Sequence, residues 1–102
     1  MRKKNEQVAP PTANELQAAA TQLSNPTSLT LLSYLYKSGF GLQSSIIKAT
    51  AFSQSTVSKQ LKALLTAGLV SKEKFRTCNI YSLNRPQFVR FGLAIDVWLK
   101  EN

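Results

Sequence analysis

The stretch Gln54-Ser55-Thr56-Val57-Ser58-Lys59-Gln60-Leu61-Lys62 holds the side chains best suited to chemistry at a surface. Its amides, hydroxyls and ammonium groups form hydrogen bonds and attract anions. On a helix each residue advances about 100°. Val57, Leu61, Leu64 and Leu65 then share one arc, while Ser55, Lys59, Lys62 and Thr66 fall opposite, flanked by Thr56 and Ser58. Such an outer face complements a nucleic-acid groove. Gln54, Ser55 and Ser58 suit base edges, and small hydroxyls such as that of Thr56 let the backbone approach closely. Lys59 and Lys62 suit either a guanine or a phosphate. The helix N-terminus adds free N–H groups and partial positive charge, which favour phosphate.

Positive charge continues beyond this helix. Between residues 48 and 76, Lys48, Lys59, Lys62, Lys72, Lys74 and Arg76 stand against Glu73 alone. Lys72, Lys74 and Arg76 alternate, so on a strand they project from one face, placed to meet backbone phosphates beside the helix. Lysines that merely block edge pairing are the plainer explanation of that strand. The whole chain has 102 residues and a formal charge of +8, with 43% apolar residues. That is enough apolar content for a core, so the charge asks for an anionic partner rather than marking disorder.

Catalytic and metal chemistry find little to work with. There is no histidine, and the five acids, Glu6, Glu15, Glu73, Asp96 and Glu101, are scattered. No nucleophile–base set, carboxylate pair, soft-ligand metal site or glycine-rich phosphate loop can be assembled. The expectation is a protein without catalytic residues, metal or cofactor. The single Cys78 cannot form an internal disulfide; it reads as a small apolar filler, with a redox sensor as the alternative. No apolar run spans a bilayer, and no apolar stretch follows the basic start, so the reading is cytoplasmic and not membrane-bound.

The elements that must hold the polar helix follow from spacing. Residues 1–12 read as a disordered basic tail, with Arg2, Lys3 and Lys4 as a potential arm toward phosphate. Residues 13–102 read as one domain. Leu16, Ala19, Ala20 and Leu23 mark a first amphipathic helix. Asn25 caps a second, Pro26 fits its first turn, and Leu29, Leu32, Leu35 and Tyr36 form its buried stripe up to Gly39. A short third helix turns Ile46 and Ile47 inward. Ser53 caps the fourth, running to about residue 67, and Gly68 ends it. Two alternating stretches over about 69–84, "LVSKEK" and "NIYSL", predict a hairpin joined by "FRTC", a connection without a glycine that leaves the turn type open, with Asn79 a candidate for its left-handed residue. Pro86 opens a last helix to about residue 100. The order predicts a mainly α fold with a small β-hairpin: a winged helix-turn-helix with a helix added at each end.

The last helix is apolar nearly all round. Phe88, Phe91, Ile95 and Trp98 form one stripe, and Val89, Leu93 and Val97 a second. In a small domain this suggests packing on its own core with one side and on a twin with the other. Gly92, costly inside a helix by about 1 kcal/mol, suggests a close backbone approach. A two-fold pair presents two recognition helices about 34 Å apart, one turn of DNA.

At this point "NPTSLTLLSYL", followed by "FSQSTVSKQLKALLTAGLVSKEKFRTCNIYSLN", resembles the ArsR/SmtB family of bacterial winged-helix regulators over roughly residues 16–100. The family's recognition helix reads Leu-Ser-Gln-Ser-Thr-Val-Ser-x-His-Leu and ends in Ala-Gly-Leu-Val. The resemblance implies a homodimeric DNA-binding repressor whose first and last helices form the interface, here through Leu16, Leu23, Phe88, Phe91, Ile95 and Trp98. The chain departs from the family at Ser28, where an Arg is common, and at Gln60, where a His is common. "LQSSIIKAT" stands where metal-sensing members carry Cys-Val-Cys, so metal sensing is not carried over. The expected role is therefore sequence-specific regulation through double-stranded DNA, read in the major groove by residues 54–66 and braced by the wing. A winged-helix adaptor that docks an acidic protein is the alternative.

Overall fold

The computed structural model describes residues 12–101. The expected tail, with Arg2, Lys3 and Lys4, lies outside the described residues apart from Thr12. That residue caps the first helix, α1 (Ala13–Leu23). The Thr12 hydroxyl accepts from the Glu15 N–H at 3.1 Å, and the Glu15 carboxylate accepts from the Thr12 N–H at 2.7 Å, a reciprocal capping box.

Asn25 caps α2 (Pro26–Ser38), accepting from the N–H groups of Thr27 and Ser28, with Pro26 in the first turn. The buried stripe of α2 differs from the expected one. Ser28, Leu31, Leu32 and Leu35 face inward, whereas Leu29 and Tyr36 are exposed. The two candidate stripes share Leu32 and Leu35. The inward one was hidden because it begins with a polar residue, whose burial is tolerable only when hydrogen-bonded.

A short strand, β1 (Gly41–Leu42), precedes α3 (Gln43–Thr50), and the turn 51–53 leads into α4 (Gln54–Thr66). Ser53 caps α4 as expected, its hydroxyl accepting from the Thr56 N–H at 3.1 Å. At the other end the Gly68 N–H donates to the Leu65 carbonyl and the Leu69 N–H to the Leu64 carbonyl. Gly68 takes a φ of 78°, open to glycine at little cost, and Leu69 is fully buried beside Leu64.

The wing consists of β2 (Val70–Phe75) and β3 (Cys78–Leu83), and α5 (Arg85–Glu101) closes the chain. The sheet has three antiparallel strands in the order β1-β3-β2 rather than the two expected. A two-residue strand is too short to show alternation. Gly41 permits it: a Cβ there would lie 2.8 Å from Tyr34 Cε2.

One core holds these elements. Leu31, Leu35, Ile46, Val57, Leu61, Leu64 and Leu69 are fully buried, joined by Ala19, Val70, Tyr81 and Phe91. Each such Leu or Ile contributes about 1.5–3 kcal/mol by leaving water. The inward arc of α4 therefore fixes which residues that helix turns outward.

A candidate nucleic-acid interface

With Val57, Leu61 and Leu64 anchored in the core, α4 turns Ser55, Ser58, Lys59 and Lys62 to solvent. Their i, i+3, i+4, i+7 spacing places them on one face. Gln54 and Ser55, with Ser53 and Ser58, line a shallow hollow at the helix N-terminus. Ser53 caps only the Thr56 N–H there, which leaves the N–H groups of Gln54 and Ser55 directed outward. Thr56 behaves differently from its neighbours. It is half-buried, and its hydroxyl oxygen accepts from the Ser53 hydroxyl at 2.8 Å, so it braces the cap.

Register decides where the wing's charges point. Opposed residues of an antiparallel pair share a face. Val70 pairs with Leu83, Lys72 with Tyr81 and Lys74 with Asn79. Val70 and Tyr81 are buried, so Lys72 and Lys74 emerge on the side of the sheet that packs on the core and α4. Glu73 lies on the other side with Ser71 and Phe75. The one acid of this region therefore sits away from the wing lysines.

Arg76 does not continue the strand alternation. It occupies the two-residue turn with Thr77 and adopts a φ of 60°, while Asn79, the expected left-handed residue, lies within β3. A positive φ at the first turn residue alone is the sign pattern of a type II′ turn, which normally takes Gly there. The Arg76 guanidinium stands 5.6 Å from the centre of the exposed Phe75 ring. Phe75 at the wing tip was not singled out from sequence, since an aromatic in a strand ordinarily marks a core. Cys78 is exposed opposite Phe75, not the buried filler expected.

Among the described residues, Lys59, Lys62, Lys72 and Lys74 have no ion-pair partner; the salt bridge present joins Lys100 to Asp96 at 3.1 Å on α5. The four lysines and Arg76 are all exposed. Also among the described residues, no group of three His, Cys, Asp or Glu side chains stands together as a metal site, and no helix is long and apolar enough to cross a membrane.

The two departures at Ser28 and Gln60 meet in space. The Ser28 hydroxyl lies 2.9 Å from the side-chain amide oxygen of Gln60 and 2.9 Å from that of Gln22. Nothing in the sequence links these positions, which are 32 residues apart.

A second surface lies along α1 and α5. Phe91 is buried in the chain's own core and Phe88 packs partly against it, so the expected interface stripe divides. Val89, Leu93, Ile95, Val97, Trp98 and Leu99 remain 49–63% exposed. Leu16 and Ala20 of α1 line an open groove with Ile95 and Trp98 of α5, while Leu23 and Phe88 border another beside Leu29 and Tyr36.

Comparison with known proteins places this architecture. Residues 25–72, from the cap of α2 to the base of the wing, match the model of the bacterial regulatory protein arsR family. No curated protein matches the chain significantly. Among solved structures, an ArsR-like transcriptional regulator from a Rhodococcus species is 23% identical with a TM-score of 0.81, covering 86% of this chain and 82% of its own. The homodimeric winged helix-turn-helix DNA-binding domain of a Mycobacterium bovis protein is 26% identical with a TM-score of 0.69, covering 86% and 81%. The transcriptional repressor BigR from Xylella fastidiosa is 24% identical with a TM-score of 0.65, covering 85% and 86%. The fold is a winged helix-turn-helix, and its stretch from the cap of α2 to the base of the wing is similar to the arsR family of bacterial regulatory proteins.

Proposed function

We propose that this protein is a homodimeric transcriptional repressor that binds double-stranded DNA and occludes a promoter. In this reading α4 enters the major groove. Gln54, Ser55 and Ser58 meet base edges, Thr56 holds the helix cap in shape, and Lys59 and Lys62 reach guanine or phosphate. Lys72, Lys74 and Arg76 of the wing neutralise backbone beside it. The observation that carries the reading is the unpaired cationic surface that α4 and the wing share, with Glu73 turned to the opposite face of the sheet. The homodimeric DNA-binding domain from Mycobacterium bovis supports it by similarity.

The dimer is supported by the apolar side chains that α5 leaves in solvent. A monomer gains nothing from six exposed large apolar residues on one helix. Gly92 adds to this. A Cβ there would meet nothing within 4 Å in the chain itself, so the chain's own packing gives no reason for a helix-weakening glycine. A partner helix crossing at close range does.

Incubating the purified protein with fragmented DNA of its host, and sequencing what is retained at moderate salt, tests the reading. Near-palindromic sites with half-sites about one turn apart, overlapping promoters, are the expected outcome. Salt-sensitive retention without an enriched sequence would reduce the positive face to non-specific binding. Capture of an acidic protein with no DNA retained would support the adaptor instead.

A further inference from the structure

Ser28 is the buried polar side chain of the core among the described residues, with no solvent exposure. Its hydroxyl joins three helices. Gln22 lies in the last turn of α1, Ser28 in the first turn of α2 and Gln60 in the middle of α4. A hydroxyl has one proton to donate, so it cannot donate to both amides. One glutamine accepts from Ser28, and the other turns its NH₂ group toward the hydroxyl oxygen. Either way the three side chains form one directional chain running from α1 to α4.

The surroundings are apolar: Leu31, Leu32, Leu61 and Leu64 are buried in the same core. Contacts between such side chains change little for small rotations of one helix against another. A hydrogen bond weakens steeply once its angle closes, and a buried polar group left without a partner is penalised. The relay therefore selects one orientation from those that apolar packing tolerates. Gln60 sits next to Lys59 and two residues before Lys62. Any rotation of α4 that broke the Gln60 bond would swing both lysines.

We infer that the Gln22–Ser28–Gln60 relay holds α4 at a fixed angle to α1, and thereby fixes the half-site separation that a two-fold pair of these chains accepts on DNA. This rests on the dimeric DNA-binding reading above. The three are positioning residues; none needs to touch DNA.

The test uses the full-length protein. A half-site is first enriched from random duplex DNA by the wild type. Duplexes are then made with two such half-sites whose centres are stepped one base pair at a time around the turn of about 10 base pairs. Affinity is measured for wild type, Gln60→Met and Gln22→Met, beside thermal unfolding. Each substitution keeps length and leaves Ser28 one amide partner, so unfolding should stay near wild type. Wild type should prefer its best spacing about tenfold over one two base pairs longer, and both variants should narrow that to about twofold. Gln22→Met is decisive, because α1 lies outside the proposed contact surface. A stable Gln22→Met protein with the wild-type spacing profile overturns the relay. So does a wild type that binds half-sites well yet ignores their spacing, an outcome that leaves DNA binding intact. A wild type that retains no duplex at all removes the DNA reading and the relay with it.

Discussion

Replacing Lys59 and Lys62 with alanine should change the salt dependence of DNA binding by an amount that the structure sets. Each protomer offers five exposed cations on α4 and the wing: Lys59, Lys62, Lys72, Lys74 and Arg76. A two-fold pair offers about ten. If all lie on phosphate, the logarithm of affinity falls against the logarithm of salt with a slope near −9, at about 0.9 per phosphate. The double variant removes four cations per dimer and should bring the slope to about −5.4. Fluorescence anisotropy of a labelled operator duplex, titrated over a range of salt, measures both slopes. Both lysines are exposed and unpaired, so thermal unfolding should not move. The two possible targets of the lysines separate here. Phosphate contacts flatten the slope equally on specific and unrelated DNA. Contacts to guanine lower the preference for the operator, and each bidentate pair is worth about 1–3 kcal/mol. A folded double variant with the wild-type slope and the wild-type sequence preference would refute the placement of α4 on DNA.

Further expectations concern the other surfaces. Trp98→Glu should yield a folded monomer by light scattering, since Trp98 is 57% exposed in the chain and would place a carboxylate in the proposed apolar interface. Gly41→Ala should lower stability by about 1–3 kcal/mol in urea unfolding, because the new methyl meets Tyr34 at 2.8 Å and Ile46 at 3.3 Å. Gly92→Ala should do the opposite to the isolated chain, which gains about 1 kcal/mol of helix stability, while dimerisation measured by sedimentation weakens. Arg76→Gly should relieve the positive φ and raise the unfolding temperature while lowering DNA affinity at low salt.

What the sequence made legible was whatever depended on neighbours along the chain. Thr12 excepted, the caps at Asn25 and Ser53, the stop at Gly68 and the helix from Gln54 were all readable, because capping chemistry is local. The inward stripe of α2 was not. Leu29 and Tyr36 fit helical spacing as well as Leu31 and Ser28 do, and only Gln22 and Gln60, from two other helices, make a buried serine acceptable. Strand β1 was hidden because its two residues are strands only by pairing with Tyr81 and Ile80. Residues 75–78 are legible as the hairpin connection, and the turn falls inside it; extending the alternation of Lys72 and Lys74 to Arg76 fails, because an arginine at positive φ contradicts the rule that such turn residues are glycine or asparagine. On α5, periodicity grouped Phe91 with Trp98. Burial separates them, since the core reaches Ala94 and goes no further along the helix.

The distribution of charge bears on both proposed surfaces at once. Helices α1 and α5 carry Glu15, Asp96 and Glu101 against Arg85, Arg90 and Lys100, so the helices with the exposed apolar residues are balanced. From α2 through the wing, Lys37, Lys48, Lys59, Lys62, Lys72, Lys74 and Arg76 face Glu73 alone. Two copies of a chain with a formal charge of +8 repel one another as they approach. An interface built from the neutral helices keeps that repulsion as distant as the fold allows, beyond a screening length of about 8 Å at physiological salt for charges on opposite sides of the domain. DNA laid across both α4 helices would then neutralise the charge that opposes pairing. Dimerisation and DNA binding should therefore reinforce each other, most strongly at low salt. A dimer dissociation constant unchanged by saturating operator DNA at low ionic strength would contradict that linkage.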